Sequence, residues 1–252
     1  MKHKAKKSLG QNFLKSNLAL KKIIEAGEIS SNDIVLEIGP GKGVLTEKLL
    51  EKTKLIIAVE KDRNLFQFLQ EKFSKEIKNK KLILIEEDIL KFNITKFTNN
   101  YKIIANIPYN ITGAILKKFL TEKNQPNLMV LMVQNEVAKR IVANDKKESI
   151  LSISVKAYGE PKIIMKVPAR YFSPAPKVDS AIIAIKNISR EIFTKNKINE
   201  EKFWEIIHKG FAHKRKKLSG NLKNLIKDKI EFIKDKRAEN LSLLDWINIA
   251  KE

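Results

Sequence analysis

Residues 34–45, IVLEIGPGKGVL, decide the fold, because an apolar run passes there through a glycine-rich turn into an amphipathic pattern. Residues 34–38 predict a buried strand, and residues 45–50 predict a helix. Glycine lacks a Cβ atom, so the backbone of this turn can adopt positive φ and approach a ligand closely. The nicotinamide-dinucleotide fingerprint would need a glycine at Val44, and no phosphate-binding Lys-Ser/Thr pair follows. The turn alone is weak evidence for any one ligand.

Apolar runs that alternate with helical patterns continue after this turn. They predict further strands at residues 55–59, 82–85, 101–104 and 128–133, with a helix at 111–120. Strands that alternate with helices at this spacing predict an α/β fold with a parallel, doubly wound sheet. In such sheets, ligands bind at the carboxyl ends of the strands. Four candidate residues follow predicted strands at that edge: Gly39, Glu60, Asp88 and Asn106.

Two acidic residues at these strand ends indicate the kind of ligand. Glu60 ends the next predicted strand, about 20 residues beyond the glycine turn. From this position a carboxylate can accept hydrogen bonds from both hydroxyls of an adenosine ribose. Asp88 follows the next strand, where a carboxylate can accept a hydrogen bond from an adenine amine or simply cap the next turn. A glycine turn, a strand and an acidic residue in this order favour an adenosine-containing cofactor.

The strand at residues 101–104 leads into residues 105–110, ANIPYN. Pro108 cannot continue a central strand or donate a ladder hydrogen bond, so the chain must turn there. The turn leaves Asn106 at the strand end with the ring of Tyr109 beside it. A carboxamide next to a stacking ring suits recognition of a planar group that carries an amine. A plain strand-ending Asn-Pro turn with a half-buried tyrosine has the same pattern, and both interpretations stay open on these residues alone.

The composition excludes several kinds of site. The 252-residue chain has no cysteine, which rules out a disulfide framework, a thiolate nucleophile and a cysteine-based zinc site. The histidines, His3, His208 and His213, show no metal-ligand spacing, so we expect no metal site. No apolar run reaches the length of a membrane span, and the basic start lacks the apolar core of a signal peptide. We therefore expect a cytoplasmic protein that does not bind a membrane.

The net charge of +21 is clustered rather than spread evenly. Residues 1–22 hold seven lysines and no acidic residue, and residues 206–227 hold seven lysines or arginines and again no acidic residue. Solvated surfaces are the usual meaning of such runs. Because the excess is so large, we interpret them as a phosphate-binding footprint for a nucleic acid. The densest part is Lys214, Arg215, Lys216 and Lys217.

The alternation of strand and helix patterns is interrupted by a proline-rich segment at residues 168–180, PARYFSPAPKVDS. Three prolines stiffen this loop. The loop either presents Phe172 and Lys177 to a ligand or acts only as a rigid connector between the strands predicted near 163–165 and 181–185. A polar stretch at residues 187–197 then predicts a boundary between a domain at 1–190 and a small all-helical domain at 191–252. Three helical patterns lie after that stretch, at residues 201–211, 214–226 and 241–250.

Four motifs in order carry a resemblance to a known family: residues 11–14 (QNFL), 37–41 (EIGPG), 106–109 (NIPY) and 172–180 (FSPAPKVDS). The chain resembles the small-subunit ribosomal RNA adenine dimethyltransferases, the KsgA family, whose relatives are the Erm enzymes that modify large-subunit RNA. The resemblance implies a Rossmann-like methyltransferase domain followed by a small helical RNA-binding domain. It also implies S-adenosylmethionine as methyl donor. The implied targets are two neighbouring adenines in a hairpin near the 3′ end of small-subunit rRNA, each methylated twice.

The resemblance also implies roles for individual residues. Cofactor contacts would come from Asn12, Leu14, Gly39, Gly41, Glu60, Asp88 and Asn106. Catalysis would involve Asn106, Pro108, Tyr109 and Phe172, with the two aromatic rings stacking on an extruded adenine. RNA contacts would come from Lys177 and from Lys214, Arg215, Lys216 and Lys217. The partner would be small-subunit rRNA within a pre-ribosomal small subunit whose biogenesis the protein serves, and we expect a monomer.

Three other functions share part of this pattern. An Erm-type large-subunit rRNA methyltransferase would share most of it, including the catalytic turn. A DNA adenine methyltransferase shares the Asn-x-Pro-Tyr motif but lacks the amino-terminal and proline-rich motifs. A non-catalytic assembly factor on the same fold would show a broken glycine turn or a lost Asn106, and neither is seen here.

Overall fold

A computed structural model describes residues 5–6, 9–98, 100–213, 216–223 and 233–251. Its strands coincide with the apolar runs of the sequence because β-branched and other apolar residues pack on both faces of a buried sheet. In chain order the strands are β1 (Phe13–Leu14), β2 (Ile34–Ile38), β3 (Leu55–Glu60), β4 (Leu82–Glu86), β5 (Lys102–Asn106), β6 (Leu128–Gln134), β7 (Glu160–Val167), β8 (Phe172–Ser173) and β9 (Ser180–Lys186).

Seven of these described strands form one sheet in the order β4-β3-β2-β5-β6-β9-β7. The pairs β4–β3, β3–β2, β2–β5 and β5–β6 are parallel, and β9 runs antiparallel to β6. This arrangement confirms the predicted α/β, doubly wound fold. The strand order reverses between β2 and β5, and ligands of open α/β sheets bind beside such a reversal. The glycine turn after β2 and the Asn106 turn after β5 therefore lie next to each other.

Helices cover the faces of the sheet and bury its apolar side chains. Those of the first part of the chain are α1 (Asn17–Ala26), α2 (Val44–Leu50), α3 (Arg63–Lys72), α4 (Ser74–Lys78), α5 (Thr112–Thr121) and α6 (Asn135–Val142). Ser16 caps α1, since its side chain accepts a hydrogen bond from the Ala19 amide. Residues of the central strands, such as Leu36, Ile57 and Ile103, are fully buried. This packing holds the carboxyl ends of the strands in fixed relative positions.

The chain divides into two compact units, Met1–Ala138 with Lys162–Ile188, and Lys139–Pro161 with Ser189–Glu252. The predicted boundary at 190 therefore lies near the second junction, but residues 139–161 group with the carboxyl-terminal unit rather than with the first. The physical reason is aromatic packing across a long sequence separation. The ring of Tyr158 stacks on Trp204 with centroids 6.1 Å apart and lies 5.5 Å from that of Phe193.

The carboxyl-terminal unit is mostly helical in its described part. It contains α7 (Ile150–Lys156), α8 (Glu191–Asn196), α9 (Glu200–Phe211), α10 (Leu218–Leu222) and α11 (Leu243–Ala250). Helix α8 lies within the stretch that we predicted to be a polar linker. Of the helix predicted at 214–226, residues 218–222 form α10, whereas residues 214–215 and 224–226 lie outside the described part of the chain. None of the helices in the described ranges is long and apolar enough to cross a membrane.

Candidate methyl-transfer site

A cavity of about 280 Å³ opens at the carboxyl ends of β2, β3, β4 and β5. Its wall combines the glycine turn after β2, the acidic ends of β3 and β4, and the turn after β5. The amino-terminal segment Leu9–Leu14 closes another side, so Asn12 and Leu14 line the cavity as well. The structure thus brings together the predicted residues Asn12, Leu14, Gly39, Gly41, Glu60, Asp88, Asn106, Pro108 and Tyr109.

The glycine turn has the backbone geometry that the sequence predicts. Gly39 and Gly41 both have positive φ, +63° and +61°, which side chains with a Cβ atom rarely adopt. A Cβ atom on Gly41 would lie 3.2 Å from the ring of Phe13. Among the described residues, one on Gly39 would meet only Pro108, at 4.0 Å. The turn therefore presents bare backbone to the cavity and leaves room for Phe13 of the amino-terminal segment.

Glu60 is a buried carboxylate that organises the cavity wall. The residue is 5% exposed, and its side-chain oxygens accept hydrogen bonds from the amides of Gly41 at 3.1 Å and Asp62 at 2.9 Å. Burial raises the pKa of Glu60, and these two amides oppose that shift. Because each oxygen can accept more than one hydrogen bond, Glu60 retains acceptor capacity for the hydroxyls of a ligand.

Asp88 caps the next turn, which is one of the two roles that its sequence position allowed, and it also lines the cavity. Its Oδ1 accepts from the Leu90 amide at 3.0 Å, which caps the turn after β4, and the residue also lines the cavity. Its Oδ2 accepts from Lys61 Nζ at 2.8 Å. The hydrogen bond from Lys61 lowers the pKa of Asp88, so the group is a carboxylate at neutral pH.

The turn after β5 presents Asn106 with a defined orientation. Its Nδ2 donates to the main-chain oxygen of Asn12 at 3.1 Å, which commits the nitrogen end of the carboxamide. Its Oδ1 accepts no hydrogen bond from any described residue. Further along the turn, the carbonyl of Pro108 accepts from the Ile111 amide at 3.3 Å. The carbonyl of Ile107 has no such partner among the described residues, so the turn offers two acceptors, Asn106 Oδ1 and the Ile107 carbonyl.

Tyr109 lines the cavity with a half-buried ring, and its hydroxyl is hydrogen-bonded to the Ser180 hydroxyl at the start of β9. Burial raises the pKa of Tyr109, so the hydroxyl stays protonated at neutral pH. Ser180 is fully buried, and this anchor restrains the tyrosine ring. No local pattern indicates the Ser180 contact, because the two residues are 71 positions apart in the chain.

Phe172 lies elsewhere than we predicted. The residue is 2% exposed, belongs to the hydrophobic core and does not line the cavity. The cause is the short antiparallel ladder between β1 and β8, in which Leu14 pairs with Phe172 and Phe13 with Ser173. In this structure Phe172 therefore offers no open face to a base, and Tyr109 is the predicted stacking ring that the cavity presents.

The amino-terminal segment is attached to the cavity wall by a polar cluster that sequence reasoning missed. Asp62 accepts hydrogen bonds from Lys6 Nζ at 2.7 Å and from Gln11 Nε2 at 2.8 Å, and Gln11 Oε1 accepts from the Lys6 amide. Asp62 also caps α3 through the Asn64 amide. We call Lys6, Gln11 and Asp62 the amino-terminal clamp, because they hold residues 9–14 against the cavity.

The residues predicted to contact RNA are only partly described. Lys177 is exposed on the proline-rich loop of the first unit. Lys216 and Lys217 are exposed in the second unit, where Lys217 Nζ lies 2.5 Å from Asp235 Oδ1 in an ion pair at the surface. Exposed pairs of this kind contribute little to stability. Lys214 and Arg215 lie outside the described residues, as do residues 1–4 and 7–8 of the amino-terminal basic run.

The fold and the site together define a class of protein. An open, mostly parallel sheet carries a glycine turn, a buried acid after the next strand and an Asn-x-Pro-Tyr turn, all facing one cavity. This is the arrangement of a Rossmann-like methyltransferase. Within the described residues, no group of three histidine, cysteine or acidic side chains is placed to hold a metal ion.

Comparisons with known proteins narrow the class to a family. The model of the ribosomal RNA adenine dimethylase family matches residues 2–252. The ribosomal RNA small subunit methyltransferase A of Fusobacterium nucleatum is 40% identical, covering 100% of this chain and 98% of its own. Its counterpart in Clostridium botulinum is 40% identical over 90% of this chain and 82% of its own. The chain therefore belongs to the ribosomal RNA adenine dimethylase family.

One solved structure supports the same assignment, and a second has the same fold. The dimethyladenosine transferase of Plasmodium falciparum superimposes with a TM-score of 0.81 at 30% identity, covering 94% of this chain and 95% of its own. The 23S rRNA methyltransferase ErmE superimposes with a TM-score of 0.74 at 22% identity, covering 96% and 100%. At that identity the second likeness shows the fold alone.

Proposed function

We propose that this protein transfers methyl groups from S-adenosylmethionine to the N6 atoms of two adjacent adenines in a hairpin near the 3′ end of small-subunit rRNA. The products are dimethyladenines, formed during small-subunit biogenesis. The observation that carries the proposal is Asn106, whose Oδ1 accepts no hydrogen bond from a described residue and which lines the same cavity as the glycine turn and Glu60. The names of the full-length relatives favour the small-subunit RNA over the large-subunit RNA.

The residues of the cavity fit S-adenosylmethionine. Gly39 and Gly41 leave backbone exposed for a close approach, Glu60 has acceptor capacity for ribose hydroxyls, and Asp88 is a carboxylate suited to an adenine amine. Asn12, Leu14 and Asn106 complete the cavity wall from the amino-terminal segment and β5. When bound, this cofactor supplies a methyl group made electrophilic by its positively charged sulfur.

The turn after β5 prepares the adenine amine to react. The lone pair of this amine is delocalised into the ring, so the nitrogen is a poor nucleophile. Asn106 Oδ1 and the Ile107 carbonyl can each accept one amine hydrogen, which favours a tetrahedral nitrogen and localises the lone pair. Asn106 is not a general base, because a carboxamide does not ionise. The catalytic gain comes from orientation and fixed dipoles, and the product proton leaves to water.

Pro108 and Tyr109 contribute through position. Pro108 makes the turn that follows Asn106 and Ile107, and its own carbonyl accepts a hydrogen bond from the Ile111 amide. Tyr109, held through Ser180, supplies a ring on which the extruded adenine stacks. Phe172 is buried in the core and takes no part in the proposed stacking.

Methyl incorporation tests this proposal directly. Small subunits that lack the two dimethyladenines are incubated with the purified protein and S-adenosylmethionine labelled in the methyl group. We expect label in the small-subunit rRNA and much less in a free hairpin, because the proposed substrate is a partly assembled subunit. Incorporation into large-subunit RNA instead would favour the Erm-type function. Binding to the subunit without any incorporation would favour the non-catalytic assembly factor.

The amino-terminal clamp predicts an effect on cofactor affinity. Gln11→Ala removes a hydrogen bond to a charged group and loosens the segment that carries Asn12 and Leu14. Since such bonds are worth about 1.5–3 kcal/mol before exposure to solvent weakens them, we expect S-adenosylmethionine to bind roughly 3- to 10-fold more weakly. Calorimetry measures this change, with Lys15→Ala as the matched control on an exposed neighbour. Equal affinities for the two variants would show that the clamp does not order the cavity.

The clustered charge predicts salt-sensitive RNA binding. Replacing Lys214, Arg215, Lys216 and Lys217 together by alanine removes the positive charges that neutralise phosphate groups of the RNA. The slope of log affinity against log salt should therefore fall by about 0.7–0.9 for each phosphate that is no longer neutralised. The affinity for S-adenosylmethionine should not change. The control is the same number of substitutions at exposed lysines of the first unit: Lys52, Lys54, Lys78 and Lys81. An unchanged slope in the first variant would identify the run as a solvated surface.

A further inference from the structure

Lys118 on α5 is a largely buried cation that the proposed chemistry does not use. Its side chain is 14% exposed, and its Nζ donates to the main-chain carbonyls of Leu90 at 3.1 Å and Phe92 at 2.7 Å. The same nitrogen lies 3.4 Å from Glu122 Oε1, four residues further along the chain. Since an ammonium group has three N–H donors, these three oxygens account for all of them. Lys118 is therefore committed to the protein rather than to a ligand.

The two carbonyls belong to the turn after β4, at residues 88–92, which forms part of the cavity wall through Asp88 and Leu90. One end of the turn is closed by Asp88 itself, whose main-chain oxygen accepts from the Phe92 amide at 3.1 Å. Within the described ranges, no residue besides Lys118 donates to the carbonyls of Leu90 and Phe92. The other end of the turn is therefore attached to the fold through this one side chain.

The position of this turn decides which purine the cavity accepts. Asp88 keeps acceptor capacity beside its bonds to Lys61 and Leu90, and the amide of Ile89, which also lines the cavity, donates to no described residue. An acceptor next to a donor matches the edge of adenine, whose 6-amine donates and whose N1 accepts. In hypoxanthine the oxygen at position 6 accepts and N1–H donates, so the same pair of groups is mismatched. A fixed turn keeps this mismatch, whereas a turn that is free to move can shift until Asp88 meets the N1–H.

We propose that Lys118 is a positioning residue that makes the cofactor site selective for adenine by fixing the turn after β4. This inference rests on the proposed function, because it concerns the adenine end of S-adenosylmethionine. Helix α5 begins at Thr112, shortly after the turn that carries Asn106, so the helix that follows the catalytic turn also supports the turn that faces the adenine. If Lys118 only stabilised the fold, its loss would weaken the binding of both purines equally and leave the selectivity unaltered.

Calorimetry with S-adenosylhomocysteine and S-inosylhomocysteine, in which an oxygen replaces the 6-amine of the purine, tests this role. We expect the wild-type protein to prefer the adenine ligand by about 10- to 100-fold. Lys118→Met keeps the apolar stem but removes the charge and the donors, so its preference should fall by about 3- to 10-fold relative to wild type. Lys117→Met is the matched control, because it removes an exposed charge from the neighbouring position of α5 and should keep the wild-type preference.

The outcomes separate this inference from the function on which it rests. An unchanged preference in Lys118→Met, or a wild-type protein that binds both ligands equally, would overturn the role of Lys118 while leaving the donor site in place. No binding of either ligand or of S-adenosylmethionine by the wild-type protein would overturn the proposed function itself. Should Lys118→Met fail to fold, Lys118→Gln, which keeps a neutral donor, is measured by the same criterion. Failure of both variants to fold would assign Lys118 to the stability of the fold and contradict the inference.

Discussion

Asn106→Ala is expected to lower the single-turnover rate of methyl transfer on the order of a hundred-fold or more, while RNA affinity stays nearly unchanged. The reason is that Asn106 Oδ1 interacts with the adenine amine most strongly as its nitrogen becomes tetrahedral, so the loss falls on the transition state. The affinity for S-adenosylmethionine falls as well, because Asn106 lines the cavity and holds the main chain of Asn12.

Thermal melts recorded beside the kinetics distinguish catalysis from folding. If Asn106 mattered only as the end of a strand, its substitution would lower the melting temperature in proportion to the lost activity. Asn32→Ala, an exposed asparagine before β2, is the control for the chemical change and should leave both measurements unaltered. An Asn106→Ala protein that melts like wild type and still methylates at nearly the wild-type rate would rule out the proposed mechanism.

Glu60→Gln is expected to weaken S-adenosylmethionine binding by about 5- to 150-fold, the equivalent of roughly 1–3 kcal/mol. The substitution keeps the volume of the side chain but replaces one acceptor oxygen by a donor. That donor would face an amide of Gly41 or Asp62 or a ligand hydroxyl. Asp88→Ala should have a smaller effect, because part of its acceptor capacity is already committed to Lys61 and Leu90.

Glu86→Gln is the control for this measurement, because Glu86 pairs with Glu60 in the register of β3 and β4 but is exposed and does not line the cavity. Both variants are compared by calorimetry and by thermal melting of the ligand-free protein. Unchanged affinity in Glu60→Gln would show that the carboxylate serves only to hold the glycine turn. An equal loss of S-adenosylmethionine affinity in Glu86→Gln would show that removing any negative charge at this end of the sheet weakens binding.

Much of the site could be predicted because its residues follow directly from local patterns. The residue that follows a buried strand lies at the carboxyl end of that strand, and the carboxyl ends of parallel strands lie side by side at one end of the sheet. Gly39, Glu60, Asp88 and Asn106 therefore reach one cavity through rules that act within a few residues of each strand. The positive φ of the glycine turn is likewise a local requirement, visible in the spacing of the glycines.

The remainder depends on interactions between residues that are far apart in the chain. The motif around Phe172 predicted an exposed ring, but pairing of β8 with β1 buries it, and the pairing partner Leu14 lies 158 positions earlier in the chain. The hydrogen bond between Gln11 and Asp62 in the clamp joins side chains 51 positions apart, and the bond between Tyr109 and Ser180 joins side chains 71 positions apart. Helix α8 was missed because polar residues predominate in its sequence, although Phe193 anchors it in the core.

The most direct test of the account is mass mapping of small-subunit rRNA from a strain that lacks this protein, complemented with the wild-type chain or with Asn106→Ala. In the deletion strain, we expect each of two adjacent adenines near the 3′ end to lack both of its methyl groups. We also expect that the wild-type chain restores them and that Asn106→Ala does not. Full dimethylation at these adenines in the deletion strain, or its restoration by Asn106→Ala, would contradict the account.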